Sequence, residues 1–407
     1  MNILWGFGGI LTVFSIGYLF SYNRKKIKLR PVLGGLAIQL TFAFIVLYTE
    51  WGKDFLKALT DGVNNITAYA NTGIQFLLGN LADEKFQHIG TIFAFHILPV
   101  IIFFSALISV LYYLKIMQVV IRFIGGGLAK LLGTTRPESL SAAANIFVGQ
   151  TEAPLVVKPY LEKLTTSELF AVMTGGVASV AGSVLIGYSL LGIPLKYLLA
   201  ASFMAAPAGL VMAKILYPQV EEPVAFDDFH IEADPGVVNV FDAAAQGAAT
   251  GLKLAANIGA MLMAYIALIA LVNGILGGIG SWIGIPNLSL ELILGYIFSP
   301  VAMAIGVYPH EAVQAGNFIG QKVIINEFVA YGNLGKVIST LTPKTQAILS
   351  FALCGFANVS SIAIQIGGLG SLAPSRRHDI ARLGMRAVLA GVLASLLSAS
   401  IAGMFVG

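Results

Sequence analysis

The chain has 407 residues, 57% of them hydrophobic and only 11% charged, with 45 glycines and a mean hydropathy of +0.84. Soluble domains average about 25% charged residues, so the composition excludes one and indicates a polytopic helical membrane protein. The net charge of +4 is too small for a nucleic-acid binder, and a single cysteine, Cys354, excludes an intrachain disulfide.

Ile3 to Phe20 is apolar and long enough to span. It has no convincing small-residue cleavage site, so it reads as a first spanning helix rather than a removed signal. Five basic residues in seven follow, Arg24 to Arg30. The positive-inside rule places this short loop in the cytoplasm and the N-terminus outside. Pro31 to Tyr48 returns. Asp54 to Leu81 mixes polar and apolar residues and is expected to lie on the outer surface. Ile89 to Leu114 spans inward, and its His96, alone among aromatics, reads as a packing histidine. Ile116 to Leu132 is amphipathic and is expected on the cytoplasmic surface.

The stretch Asn145-Ile-Phe-Val-Gly-Gln-Thr-Glu-Ala-Pro154 then sets amide, hydroxyl and carboxylate groups inside an apolar context. Such groups are costly in hydrocarbon without a partner or a wet cavity. The apolar arm before it, Ser139 to Val148, is ten residues. As a helix that is roughly 15 Å, half of the ~30 Å hydrocarbon core. A second ten-residue arm, Leu155 to Leu164, follows Pro154, a residue favoured in first helical turns. Two half-length helices with a polar tip predict a re-entrant hairpin. The first arm ends in free carbonyls that suit a cation, and the second opens with free N–H groups.

Leu169 to Leu191 spans but is broken at Gly175 to Ser183, where glycine and serine lower helix propensity and admit close packing. Leu195 to Leu216 returns to the cytoplasm. Glu221 to Pro235, with six acids, reads as a solvated connector. Val237 to Leu276 is one long helix whose second half spans outward, and Leu288 to Val307 reads as interfacial or tilted. His310 to Ser339, with Asn326-Glu-Phe-Val-Ala-Tyr331 inside it, predicts a second hairpin, entered from outside with Glu327 near its tip. Lys344 to Gly370 spans inward and is interrupted at Gly355 to Ser361. Ser375 to Arg386 is a second basic loop, and Ile380 to Met404 spans outward. The expectation is an all-α polytopic membrane protein of eight transmembrane helices plus two re-entrant helical hairpins.

The chain also reads twice. Pro137-Glu138, Asn145 and Gly149-Gln150 in the first copy answer to Pro309-His310-Glu311, Asn317 and Gly320-Gln321 in the second. Leu164-Thr165 and Leu341-Thr342 follow, then Gly176 to Val180 and Gly355 to Val359. Three predicted spans lie between the hairpins, an odd number, so the copies are inverted. Inverted repeats with broken helices point to alternating access, with substrate held between them. The organisation divides into 1–132, 133–217 (first repeat), 218–307 and 308–407 (second repeat).

Four motifs in order, Gly149-Gln-Thr-Glu-Ala-Pro154, Ala178-Ser-Val-Ala-Gly-Ser183, Asn326-Glu-Phe-Val-Ala-Tyr331 and Gly355-Phe-Ala-Asn-Val-Ser-Ser361, resemble the concentrative nucleoside transporter family over nearly the whole chain. The resemblance implies a homotrimer in a bacterial inner membrane. It implies scaffold spans around a mobile transport domain that holds the hairpins, and nucleoside uptake driven by sodium or protons, without an organic cofactor. It places Gln150, Thr151 and Glu152 against the nucleobase, Val184 and Phe356 beside it, and Glu327, Asn358 and Ser361 on the ribose hydroxyls. Asn145, Ser179 and the carbonyls of Val148 and Val180 would hold sodium. The residue chemistry agrees: an ionised carboxylate only accepts, as paired ribose hydroxyls require. Among the coupling ions, neutral oxygens favour sodium, and a uridine-like nucleoside is the expected substrate. Two other classes stay open on the residues alone: an intramembrane enzyme using Glu152 and Glu327 as an acid pair, and a channel. No nucleophile or phosphate loop accompanies the acids, and hairpins entering from both sides oppose a continuous pore. Glu152 could instead pair with Lys158 or Lys322.

Overall fold

The computed structural model describes residues 2–82, 92–224, 236–285 and 287–406, and all regular structure among them is helical. Helix α1 is Asn2–Leu19, and α2, Leu29–Ala43, ends in a π-helical turn, Phe44–Tyr48. Helix α3, Glu50–Leu78, opens on Thr49, whose hydroxyl accepts from Gly52 N at 3.2 Å. It buries only Gly52, Leu56, Ala70 and Ile74, as a helix lying on a surface should. Helix α4, Phe93–His96, and α5, Leu98–Tyr113, form one apolar segment broken before Pro99, which cannot donate to the preceding turn. The expected start of this span at Ile89 lies outside the described residues, as does most of the acidic connector, 225–235. His96 Nδ1 sits 3.0 Å from Ile92 O, in keeping with a packing histidine. Helix α6, Ile116–Leu132, follows.

The first hairpin descends as α7, Arg136–Ala144, and turns at 145–152. Its second arm, Ala153–Lys163, is a 3-10 helix rather than the expected α-helix. Pro154 and Pro159 lie in it, and Pro159 removes an α-helical donor and crowds the turn behind it. The broken span is α8, Thr166–Ala178, and α9, Gly182–Leu190. Helix α10 is Leu195–Leu216. Helix α11, Val240–Ile283, runs to Gly284, whose φ of 77° ends it, seven residues past the expected Leu276. Helix α12, Leu290–Ala304, packs closely on α13, Ala312–Ile324. A Cβ on Gly316 would lie 2.6 Å from Gly295 O, so only glycine fits there. The second hairpin closes with α14, Glu327–Val337. Helices α15, Pro343–Ala352, and α16, Ser360–Leu372, are the second broken span, and α17, Arg377–Phe405, ends the fold.

Six of these segments are long and apolar enough to cross a membrane: 29–48, 93–113, 166–190, 195–216, 240–283 and 374–405. Their burial separates two kinds. α8, α10, α15 and α17 are buried on nearly all sides. α11 buries a stripe of Ala243, Gly247, Gly251, Ala255 and Ile258 and leaves Met263, Leu271 and Trp282 uncovered.

Both basic turns come together at one end. Arg30 Nη2 donates to Lys130 O at 2.6 Å, Tyr22 stacks on Tyr217 at 4.6 Å, Arg386 lies over Tyr22, and Arg376 donates to Leu164 O. The other end gathers Tyr48, Phe405, Lys57 and Leu195.

Each hairpin is fastened at its base by a buried acid. Glu138 accepts from Thr135 N at 2.8 Å and pairs with Lys214 of α10 at 2.5 Å. Lys214 also donates to Ser167 Oγ at 3.0 Å. In the second hairpin Glu311 holds both the N–H (2.7 Å) and the hydroxyl (2.8 Å) of Thr342, 31 residues on. The counterpart Thr165 is held by Glu168, at 2.8 Å, and by Gln219, whose Nε2 donates to its hydroxyl at 2.9 Å and whose Oε1 accepts from Lys214 at 3.3 Å.

Candidate functional site

The two helix C-termini α7 and α8 meet where the family resemblance puts the expected sodium ligands. Asn145 Nδ2 donates to Ser141 O at 2.9 Å, which aims Oδ1 away from the helix; that oxygen is buried and has no protein partner. The hydroxyls of Ser141 and Thr174 are buried and unpartnered as well. Gly175 permits the approach, since a Cβ there would stand 3.2 Å from Asn145 Nδ2. Ser179 Oγ donates to Gly175 O at 3.1 Å. Gly182 N donates to Phe147 O at 2.9 Å and locks the hairpin tip to the break that carries Val180. Val148 and Val180 are both buried. Neutral oxygens crowd this spot, and among the described residues no carboxylate is hydrogen-bonded into it.

A second group joins both hairpins to both broken spans. Glu327 opens α14, capped by Asn326, whose Oδ1 accepts from Val329 N at 2.9 Å. The carboxylate therefore sits at a positive helix end. Its Oε1 accepts from Tyr188 Oη at 3.0 Å and its Oε2 from Asn358 Nδ2 at 3.1 Å. Asn358 Oδ1 accepts from Ser361 N at 3.0 Å and Ser361 Oγ at 3.1 Å. Gln150 Nε2 reaches Ser361 Oγ at 3.4 Å, while Gln150 Oε1 stays buried and unpartnered. Phe356, half-buried, lies on the same break, and Ser361 Oγ also donates to its carbonyl. Gln365, absent from the sequence reading, ties α16 to α8 by donating to Met173 O at 2.7 Å.

Two expected base contacts lie apart from this chain of hydrogen bonds. Thr151 packs its methyl against Gly368 of α16. Glu152 lines a cavity of about 610 Å³ with Ser183, Tyr112 and Gln118. Val184, one residue beyond Ser183, is fully buried. Neither Lys158 nor Lys322 pairs with Glu152 among the described residues. Lys322 is fully buried and turns to α15 and α17, donating to Ala352 O at 3.4 Å and Ser395 Oγ at 3.3 Å. Tyr188 and Lys322 carry no local signal: a tyrosine or lysine inside an apolar run looks like core or interface until the fold brings Glu327 near.

Three family profiles match the chain: Na+ dependent nucleoside transporter N-terminus over 8–81, nucleoside recognition over 94–194, and Na+ dependent nucleoside transporter C-terminus over 197–403. The uncharacterized transporter YutK of Bacillus subtilis is 58% identical over 100% of both chains. The nucleoside permease NupC of Helicobacter pylori is 49% identical over 98% of this chain and 97% of its own. Among solved structures, CNTnw in an inward-facing substrate-bound state superposes with a TM-score of 0.96 at 52% identity, covering 100% of this chain and 98% of that one. An outward-facing double variant of CNTnw matches at 0.97 and 51%, with the same coverage. The profiles, the relatives and the solved structures agree on one family, and the chain belongs to the concentrative nucleoside transporters, whose members are transporters and not enzymes.

Proposed function

We infer that this protein imports nucleosides together with sodium, by alternating access. The observation that carries the reading is the hydrogen-bonded chain Tyr188–Glu327–Asn358–Ser361–Gln150, which draws both hairpins and both broken spans onto one buried carboxylate. A carboxylate has about four acceptor positions. Tyr188 and Asn358 take two, leaving room for vicinal ribose hydroxyls. Gln150 and Glu152 offer an amide and a carboxylate to the base, with Thr151, Val184 and Phe356 around it. Radiolabelled uridine uptake into proteoliposomes tests the reading, first under a sodium gradient and then under a proton gradient. Accumulation without sodium under an inward proton gradient would make Glu152 or Glu327 the proton carrier.

Sodium travels here as a co-substrate. The unpartnered Oδ1 of Asn145 supports this, with Ser179 Oγ and the carbonyls of Val148 and Val180 completing a neutral donor set. A divalent ion would recruit a carboxylate. Because hairpin 1 carries ligands for both cargoes, their binding is coupled. Asn145→Leu and Ser179→Ala are expected to raise the sodium concentration for half-maximal uptake several-fold, and to weaken nucleoside binding mainly at low sodium. Unchanged sodium dependence in both variants removes this site.

Counting α1 and the α15–α16 pair with the six long segments gives eight spans. The scaffold is 1–132 with α11 and α12. The transport domain is 133–217 and 308–407. The uncovered apolar face of α11 supports lipid contact and a homotrimer. Both basic turns at one end support a cytoplasmic assignment of that end. Cys354 is buried, so introduced cysteines can be read without background. A cysteine at Lys26 or Arg377 is expected to label only from the cytoplasm, and one at Lys57 only from outside. Labelling of Lys26 from outside would invert the topology.

A further inference from the structure

The cavity that receives Glu152 has a second polar wall, and that wall belongs to the scaffold. Ser105, Ser109 and Tyr112 form one stripe of α5. Gly247 and Gly251 of α11 lie close behind Ser109 and Ser105, where a Cβ would stand 2.6 Å and 2.8 Å from their Cβ atoms. At the end of α5 the chain turns on Lys115, the one non-glycine residue with positive φ (62°) among the described residues. The turn brings Gln118 back over α5, where its Nε2 donates to Tyr112 O at 2.9 Å. With the amide nitrogen so engaged, Gln118 Oε1 points free. It is buried and unpartnered, and so is Tyr112 Oη. Both residues line the cavity, Gln118 at 8% exposure.

We propose that Tyr112 and Gln118 form a scaffold-borne nucleobase subsite at the cytoplasmic end, supplying one hydroxyl donor and one amide acceptor to the cavity that Glu152 also lines. The heterocycle edges of nucleosides carry adjacent acceptors and donors that such a pair matches. The inference rests on the nucleoside reading above and deepens it. Hairpin 1 carries Glu152 and Gln150 with the transport domain, whereas Tyr112 and Gln118 stay on the scaffold. The subsite therefore exists only when the hairpin tip stands at the cytoplasmic end, and it raises nucleoside affinity from that face alone.

The test uses the full-length protein in right-side-out and inside-out vesicles, with saturating sodium on both sides and radiolabelled uridine as probe. Tyr112→Phe removes one hydrogen-bonding partner of the base, worth roughly fivefold in affinity, and Gln118→Met removes the other together with the Nε2 bond to Tyr112 O. The cytoplasmic-face half-saturation is expected to rise about fivefold in either variant, with the external-face value within twofold of wild type. Tyr112→Phe deletes a buried hydroxyl that has no partner without substrate, so the empty variant is expected to melt no lower than wild type, while the stabilisation by uridine shrinks. Equal shifts on both faces, no shift on either, or a lower melting temperature of the empty Tyr112→Phe protein would overturn the subsite. Wild-type vesicles that fail to move uridine would instead refute the nucleoside reading itself.

Discussion

Glu327→Gln is expected to weaken uridine binding by about a hundredfold or more while leaving the protein folded. Hydrogen bonds to a charged group contribute about 1.5–3 kcal/mol each, and the proposed site gives this carboxylate two vicinal ribose hydroxyls to hold. The substitution keeps size but turns one acceptor into a donor. Tyr188 Oη and Asn358 Nδ2 both donate to this side chain, so the amide also meets a donor it cannot satisfy. Nucleosides lacking ribose hydroxyls should bind the wild type poorly. Wild-type uridine affinity in Glu327→Gln, read by calorimetry or uptake, would remove the ribose assignment.

The second large effect concerns stability. Lys214→Met leaves Glu138, 1% exposed, without its ion-pair partner. Stranding a buried charge in this way costs about 3–5 kcal/mol. A clearly lowered apparent melting temperature in detergent is expected, and Lys214→Met combined with Glu138→Gln should recover most of it, since no ion remains to strand. A single variant that melts with the wild type would show that the pair does not fasten the base of hairpin 1.

Much of this architecture was legible because hydrocarbon tolerates polar groups so poorly. Asn145 to Glu152, Gly175 to Ser183, Asn326 to Tyr331 and Gly355 to Ser361 stand out in an apolar chain, and each marks a hairpin tip or a break in the fold. The repeat follows from their order. What stayed hidden depends on approach between distant segments. Tyr188 meets Glu327 across 139 positions and Gln365 meets Met173 across 192, and neither has a neighbour in sequence to betray it. The 3-10 winding of the second arm was hidden for another reason. Pro154 reads naturally as a helix start, and Pro159 becomes informative only once the arm is known to stay helical through it.

The tie from Glu311 to Thr342 makes a closed ring of hairpin 2, with its two ends fastened through one carboxylate. A ring has no loose end to lift, so a load at the tip passes to the base and the whole element moves as one stiff piece. Hairpin 1 closes through a longer relay. Glu138 of one arm pairs with Lys214 of α10, Lys214 donates to Gln219 at 3.3 Å, Gln219 donates to Thr165 beyond the other arm at 2.9 Å, and that second arm is wound as a 3-10 helix. A relay of several side chains in place of one carboxylate gives hairpin 1 the looser closure of the two. Under the proposed assignment of sugar to hairpin 2 and base to hairpin 1, a transporter built this way would be strict about ribose and lenient about the heterocycle it carries.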